Sequence, residues 1–113
     1  DLRAAVGLLT RNVKVQGDDA SERHGNAYMF GAHIGAFMGG QLRIENTELF
    51  RTGQAANLGR YSSHWHVLSS GRNVDVMDIA YLRNNSYHDT FQRAVVVHST
   101  DYATVQHNVA YHV

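Results

Sequence analysis

The sequence predicts an all-β chain wound as a right-handed parallel β-helix, with about four rungs of roughly 30 residues each. Three observations predict it. Short runs of period-two alternation, rich in Val, Ile and Tyr, are separated by Gly, Asn, Ser and Asp. No stretch carries an apolar face at helical spacing over three turns. The runs also resemble one another at spacings of 29 to 32 residues, which a solenoid explains by stacking equivalent strands one rung apart and a β-sandwich leaves unexplained.

The elements follow in chain order. Residues 12–17, NVKVQG, form the first strand pattern, with Val15 expected level with Ile44. Asp18, Asp19 and Glu22 come next. They offer the oxygen ligands that Ca²⁺ takes, but no EF-hand or nonapeptide repeat surrounds them, and a solvated loop is the simpler expectation. Residues 32–38, AHIGAFM, open a strand series that returns at 62–68, SSHWHVL, and at 93–99, RAVVVHS, with Phe37, His66 and His98 level. A neighbouring series comprises 39–53, GGQLRIENTELFRTG, 71–84, GRNVDVMDIAYLRN, and 100–113, TDYATVQHNVAYHV. These align on Ile44, Val76 and Val105, which also levels Thr47 with Ile79 and Asn108, and Phe50 with Leu82 and Tyr111.

Successive side chains on a strand point to opposite faces, so alternation sorts the AHIGAFM series into an inside and an outside. Ile34, Ala36, Met38, Ser63, Trp65, Val67, Val95 and Val97 are expected inside. His33, Gly35, Phe37, Ser62, His64, His66, Ala94, Val96 and His98 are expected outside. His64 and His66 then share one face of a strand, and His98 stacks on His66 one rung later, at the inter-strand spacing of about 4.8 Å. Three imidazoles in one patch admit three readings: a ladder satisfied by itself and water, a platform for binding or cleaving a carbohydrate, and a ligand set for Zn²⁺. Tyr61, Trp65, Tyr81, Tyr87 and Tyr102 supply rings of the kind that stack on sugars or pack a core. Asn84-Asn85-Ser86 is an N-glycosylation sequon, expected in an inter-rung loop and meaningful in a secreted protein.

Composition removes several classes of function. Ten basic residues balance ten acidic ones, so no global field draws in nucleic acid or an anionic membrane. No apolar run of about 18 residues is present to span a bilayer. Cysteine is absent, which excludes disulfide scaffolds, zinc ribbons and thiol nucleophiles. Nucleotide-binding loops, the G-x-S-x-G elbow and H-E-x-x-H are missing as well. The 113 residues amount to one domain at most. The chain begins at Asp1, and neither Leu2 to Leu9 nor Val105 to Val113 reads as a cap. Residues 1–113 are therefore expected to be an interior slice of a longer β-helix that is aggregated or largely unfolded when expressed alone.

Taken together, residues 3–18, RAAVGLLTRNVKVQGD, 48–67, ELFRTGQAANLGRYSSHWHV, and 91–100, FQRAVVVHST, resemble the β-helix region shared by the cell-surface hyaluronidases and the fibrocystin-like proteins. The most specific part is Gly59-Arg60-Tyr61 with His64-x-His66, where relatives typically read GRYP-x-HFH, joined by Arg93 and His98. Ser62 replaces the proline and Trp65 the phenylalanine. The resemblance implies an extracellular or cell-surface β-helix, in some members on cilia, with a structural, adhesive or glycan-binding role. Its partners would be an extracellular glycan or neighbouring segments of the same assembly. The alternative that it implies is a hyaluronan-type depolymerase, with His64, His66 and His98 as catalytic groups and Arg60, Tyr61 and Arg93 holding substrate. No cofactor is expected, with Ca²⁺ and Zn²⁺ kept as options. Glycosidases commonly use two carboxyl groups roughly 5–9.5 Å apart, and the predicted outward face has none.

Overall fold

The computed structural model describes residues 2–22, 29–68 and 80–113. Its strands are three or four residues long: β1 (Lys14–Gln16), β2 (Ile34–Phe37), β3 (Arg43–Glu45), β4 (Glu48–Phe50), β5 (Ser63–His66), β6 (Tyr81–Arg83), β7 (Ser86–His88), β8 (Val95–His98), β9 (Thr104–Gln106) and β10 (Val109–Tyr111). A one-turn 3-10 helix, Asp19–Glu22, follows β1. All strand pairs are parallel and form three sheets: β1-β4-β7-β10, β2-β5-β8 and β3-β6-β9. Each sheet takes one strand from each successive turn of the chain, so the chain is the parallel β-helix that the repeats predict.

A corner rule links strand to strand. The residue directly after each strand from β2 to β10 has positive φ: Met38, Asn46, Arg51, Val67, Asn84, Asp89, Ser99, His107 and His112. One left-handed residue turns the chain sharply enough to start the next sheet. Asn tolerates this region, whereas a β-branched residue such as Val67 is strained there. The rule also corrects the expected interior set. Met38 and Val67 sit on corners, where alternation ends, and Met38 is 90% exposed rather than in the core. Val97 is exposed too.

The interior is a single apolar column. Ala36, Ile44, Trp65, Ala80 and Leu82 form its buried cluster, with Ile34, Leu42, Leu68, Val95 and Ala103 packed against it. Leu49 and Tyr87 are buried in the first sheet, where the Tyr87 hydroxyl and Ser63 Oγ lie 3.0 Å apart in hydrogen-bonding contact. Burial pushes the Tyr87 phenol up to about 12. The tight corner between the third and first sheets is held by an amide ladder. Asn85 Oδ1 accepts from the Thr47 amide at 3.0 Å, and its Nδ2 donates to the Ile44 carbonyl at 3.1 Å. Asn108 repeats the arrangement one rung on, toward the Asn85 amide and the Leu82 carbonyl, both at 2.9 Å.

The register corrects the expected alignment. Ile44 pairs with Leu82, and Leu82 with Val105; Val76 and Ile79 lie outside the described residues. Val15 pairs with Leu49 rather than Ile44, and Phe50 pairs with His88 rather than Leu82. Thr47 stands 38 residues before its rung partner Asn85, and Asn85 only 23 before Asn108. Among the described strands the shortest turn is thus 23 residues, and the 38-residue turn has six more residues between β4 and β5 than the later turn has between β7 and β8. Closing a longer loop costs little additional entropy, so rung length varies while the stacked strands do not. The AHIGAFM series lies as expected: Phe37, His66 and His98 are level.

Candidate functional site

The outer face of the second sheet holds the site. His64 and His66 alternate with the buried Ser63 and Trp65 along β5, so both imidazoles leave the strand on the side away from the core. On β2 the same face carries Gly35 opposite His64 and Phe37 opposite His66. On β8 it carries Val96 and His98 at those positions. A Cβ on Gly35 would lie 2.5 Å from the Phe37 ring, so the ring takes its position over His64 because a glycine lies beneath it. The ring folds back over that gap and meets His64 edge-on at 6.0 Å.

His64 is the centre of the group. It faces outward yet is only 4% exposed, covered by Phe37 and by the edge-on ring of Tyr61 at 5.0 Å. Its Nδ1–H donates to the Gly59 carbonyl at 3.0 Å, which leaves Nε2 as the lone-pair nitrogen. That Nε2 is buried without a hydrogen-bond partner among the described residues. Burial depresses the His64 pKa, and the nearby His66, His98 and His33 add to the effect against the opposing Gly59 hydrogen bond. The ring is therefore held neutral. His66 and His98 complete the triangle, with ring centroids 5.1 and 6.5 Å from that of His64 and 4.7 Å from each other. The Nδ1 atoms of His66 and His98 are 2.9 Å apart, so one donates to the other. One ligand nitrogen from each of the three lies within 4.8 Å of the other two.

The loop that serves His64 is an insertion. Twelve residues (51–62) join β4 to β5, whereas six (89–94) join β7 to β8. The longer loop closes on itself through the Gln54 amide to the Arg60 carbonyl, the Asn57 amide to Gln54 and the Arg60 amide to Asn57. Gly59 has φ +83, which a side chain rarely adopts, and this conformation aims its carbonyl at His64.

The other expected residues divide. Exposed Arg60 donates from Nη1 to His33 Nε2 at 2.7 Å; burial first, then the Arg60 charge, lowers the His33 pKa. Exposed Arg93 places its guanidinium 5.6 Å from the Tyr61 ring centroid. Tyr61 itself is 5% exposed, so it supports His64 and Arg93 rather than offering a sugar a free ring face. Trp65 and Tyr87 are core. Tyr81 is covered by the Arg83 guanidinium at 3.7 Å, and Tyr102 is exposed. Asp19 and Glu22 are both paired with Arg51, and Asp18 accepts from Ser21. Asn84 is a corner residue between β6 and β7, not part of an inter-rung loop, with φ 54.

A second cluster was invisible in the alternation pattern. On the first sheet His88 stacks on Phe50 at 4.7 Å and 16°, with Nε2 3.2 Å from Glu48 and Nδ1 2.8 Å from Asp89. Asp89 also meets His112 at 2.7 Å, and buried Glu48 accepts from Lys14 at 3.1 Å. The pairing of Phe50 with His88 brings these groups together, and the expected register had Leu82 there instead.

Among the described residues no helix is long and apolar enough to cross a membrane. The family profile described as CEMIP beta-helix matches residues 29–113. Human (Homo sapiens) fibrocystin-L is 30% identical over 145 residues, a match covering 98% of this chain and 3% of that protein. The human cell migration-inducing and hyaluronan-binding protein is 32% identical over 126 residues, covering 98% of this chain and 9% of that protein. The zebrafish (Danio rerio) cell surface hyaluronidase is 30% identical over 122 residues, with the same two shares. The chain thus spans a small fraction of the length of the curated relatives it matches. No solved structure matches it. With a three-sheet parallel solenoid in place and the family profile covering the second sheet and everything after it, the chain belongs to the CEMIP beta-helix family.

Proposed function

We propose that the chain is a β-helix module of an extracellular or cell-surface protein that binds an acidic glycan on the outer face of the second sheet. One observation carries this reading. Phe37, His66 and His98 occupy the same position on three consecutive strands, so their rings form a row across the sheet, with Phe37 49% exposed. An aromatic row of this kind offers stacking surface, and Arg60 and Arg93, both exposed, add cationic groups for a carboxylate. The names of relatives, cell surface hyaluronidase and hyaluronan-binding protein, support the class of ligand and the location. In that compartment Asn84 is an acceptor for an N-linked glycan.

The test uses the protein with its natural flanking sequence and fluorescent hyaluronan, chondroitin and a neutral polysaccharide. Binding to the acidic chains without shortening them is the expected result. Shortening would replace the binding module with a depolymerase, and equal binding to the neutral polymer would remove the role of the arginines.

A further inference from the structure

The three histidines are arranged for more than stacking. A ladder that satisfied itself would give His64 Nε2 a donor, yet this nitrogen is buried and has none among the described residues. Its tautomer is set by the Gly59 carbonyl on the far side of the ring, the arrangement by which a backbone acceptor typically orients a metal-bound imidazole. Its lone pair is directed away from that carbonyl, and one nitrogen from each of His64, His66 and His98 lies within 4.8 Å of the others. Tetrahedral Zn²⁺ with Zn–N bonds of about 2.0–2.1 Å needs ligand nitrogens about 3.4 Å apart. The 2.9 Å separation of His66 and His98 Nδ1 is slightly tighter than that, and small rotations of the half-buried His66 ring and the exposed His98 ring open it.

We infer that His64, His66 and His98 form a three-imidazole site for a divalent transition metal of the Zn²⁺ class, with the remaining coordination position open on the outer face. An all-nitrogen donor set selects against Ca²⁺ and Mg²⁺, which take oxygen ligands. On loading, His66 and His98 exchange their mutual hydrogen bond for metal bonds: the acceptor ring already carries its proton on Nε2, and the donor ring gives up its Nδ1 proton to solvent and takes one on Nε2. Phe37 and Tyr61 cover His64, so an incoming ligand reaches the metal past the more exposed rings of His66 and His98. A carboxylate or hydroxyl oxygen is the chemistry that fits the open position. The site uses the same face as the proposed glycan surface but does not depend on it, because the metal is tested with no glycan present.

The experiment strips the protein, expressed with its natural flanking sequence, with a chelator and titrates it with Zn²⁺ by calorimetry, followed by Co²⁺ substitution read by absorption. Wild type should bind one equivalent per chain more than the His66→Ala/His98→Ala double variant. The visible Co²⁺ bands of a low-coordinate site should appear in wild type alone. His66 and His98 lie outside the core, so the double variant keeps its fold, which its circular dichroism checks. His107→Ala, an exposed histidine on another corner, should bind as wild type does. Equal Zn²⁺ stoichiometry in wild type and the double variant would overturn the inference. Loss of the equivalent in His107→Ala would overturn it as well.

Discussion

His98 lies one strand along from His66 on the second sheet, 32 residues later in the chain, with the two Nδ1 atoms 2.9 Å apart. Nothing local to either residue creates that contact. It arises because β5 and β8 stack in register, and it makes an otherwise ordinary pair of imidazoles into part of a site.

The loop carrying Gly59 should control this site from outside it. Gly59→Ala places a side chain at φ +83 and shifts the carbonyl that orients His64. Zn²⁺ affinity should fall by roughly tenfold, the usual scale for losing a partner behind a metal-bound imidazole. Calorimetry on Gly59→Ala beside Asn57→Ala, in the same loop, measures this; equal affinity in both would remove the role of the carbonyl.

The amide ladder should dominate local stability. Asn85→Ala strands the Thr47 amide and the Ile44 carbonyl in a buried corner. The expected destabilisation is about 2–4 kcal/mol, with Asn108→Ala costing less because its corner is only part-buried. Denaturant midpoints of the two variants check the order. A larger loss in Asn108→Ala would contradict the corner geometry.

Trp65 is fully buried in the apolar column. Trp65→Ala should cost about 3–5 kcal/mol, the range for emptying an aromatic site in a core. Trp65→Phe restores much of the volume, so its melting temperature should lie closer to that of wild type than that of Trp65→Ala does.

Acid should weaken the first sheet through two carboxylates. Burial alone would raise the Glu48 pKa, but hydrogen bonds from Lys14, His88 and the Arg11 amide, with the Lys14 charge, hold it below its ordinary 4.5. Hydrogen bonds from His112 and His88 lower Asp89 below 3.8 against a smaller opposing effect of burial. Because the folded values are depressed, this stabilisation is complete above the ordinary carboxylate range and disappears as pH falls through the lowered values. Glu48→Gln should flatten the acid limb of a stability–pH curve below about pH 4.5. An unchanged limb would show that Glu48 contributes nothing there.

Arg60→Ala and Arg93→Ala should each weaken hyaluronan binding and reduce its salt dependence while leaving the fold intact, since both side chains are exposed. Binding measured at two salt concentrations separates lost charge from lost shape.

Several features of the protein were determined by its sequence alone. Alternation around Trp65 sets which side of β5 faces the core, and the chemical likeness of AHIGAFM, SSHWHVL and RAVVVHS levels Phe37, His66 and His98. Both rest on period two, a property of the strand itself. The neighbouring series was misaligned because the correct match, Asn46-Thr47 with Asn84-Asn85 and His107-Asn108, follows corner chemistry rather than apolar spacing. Only the tertiary structure decided rung length, since 23 and 38 residues close equally well around the same column. Only it buried an outward-facing His64 beneath Phe37 and Tyr61, and only it brought Glu48 and Asp89 to opposite edges of His88. Those contacts span rungs, and loop lengths that cost little free energy to change leave no periodic trace of them in the chain.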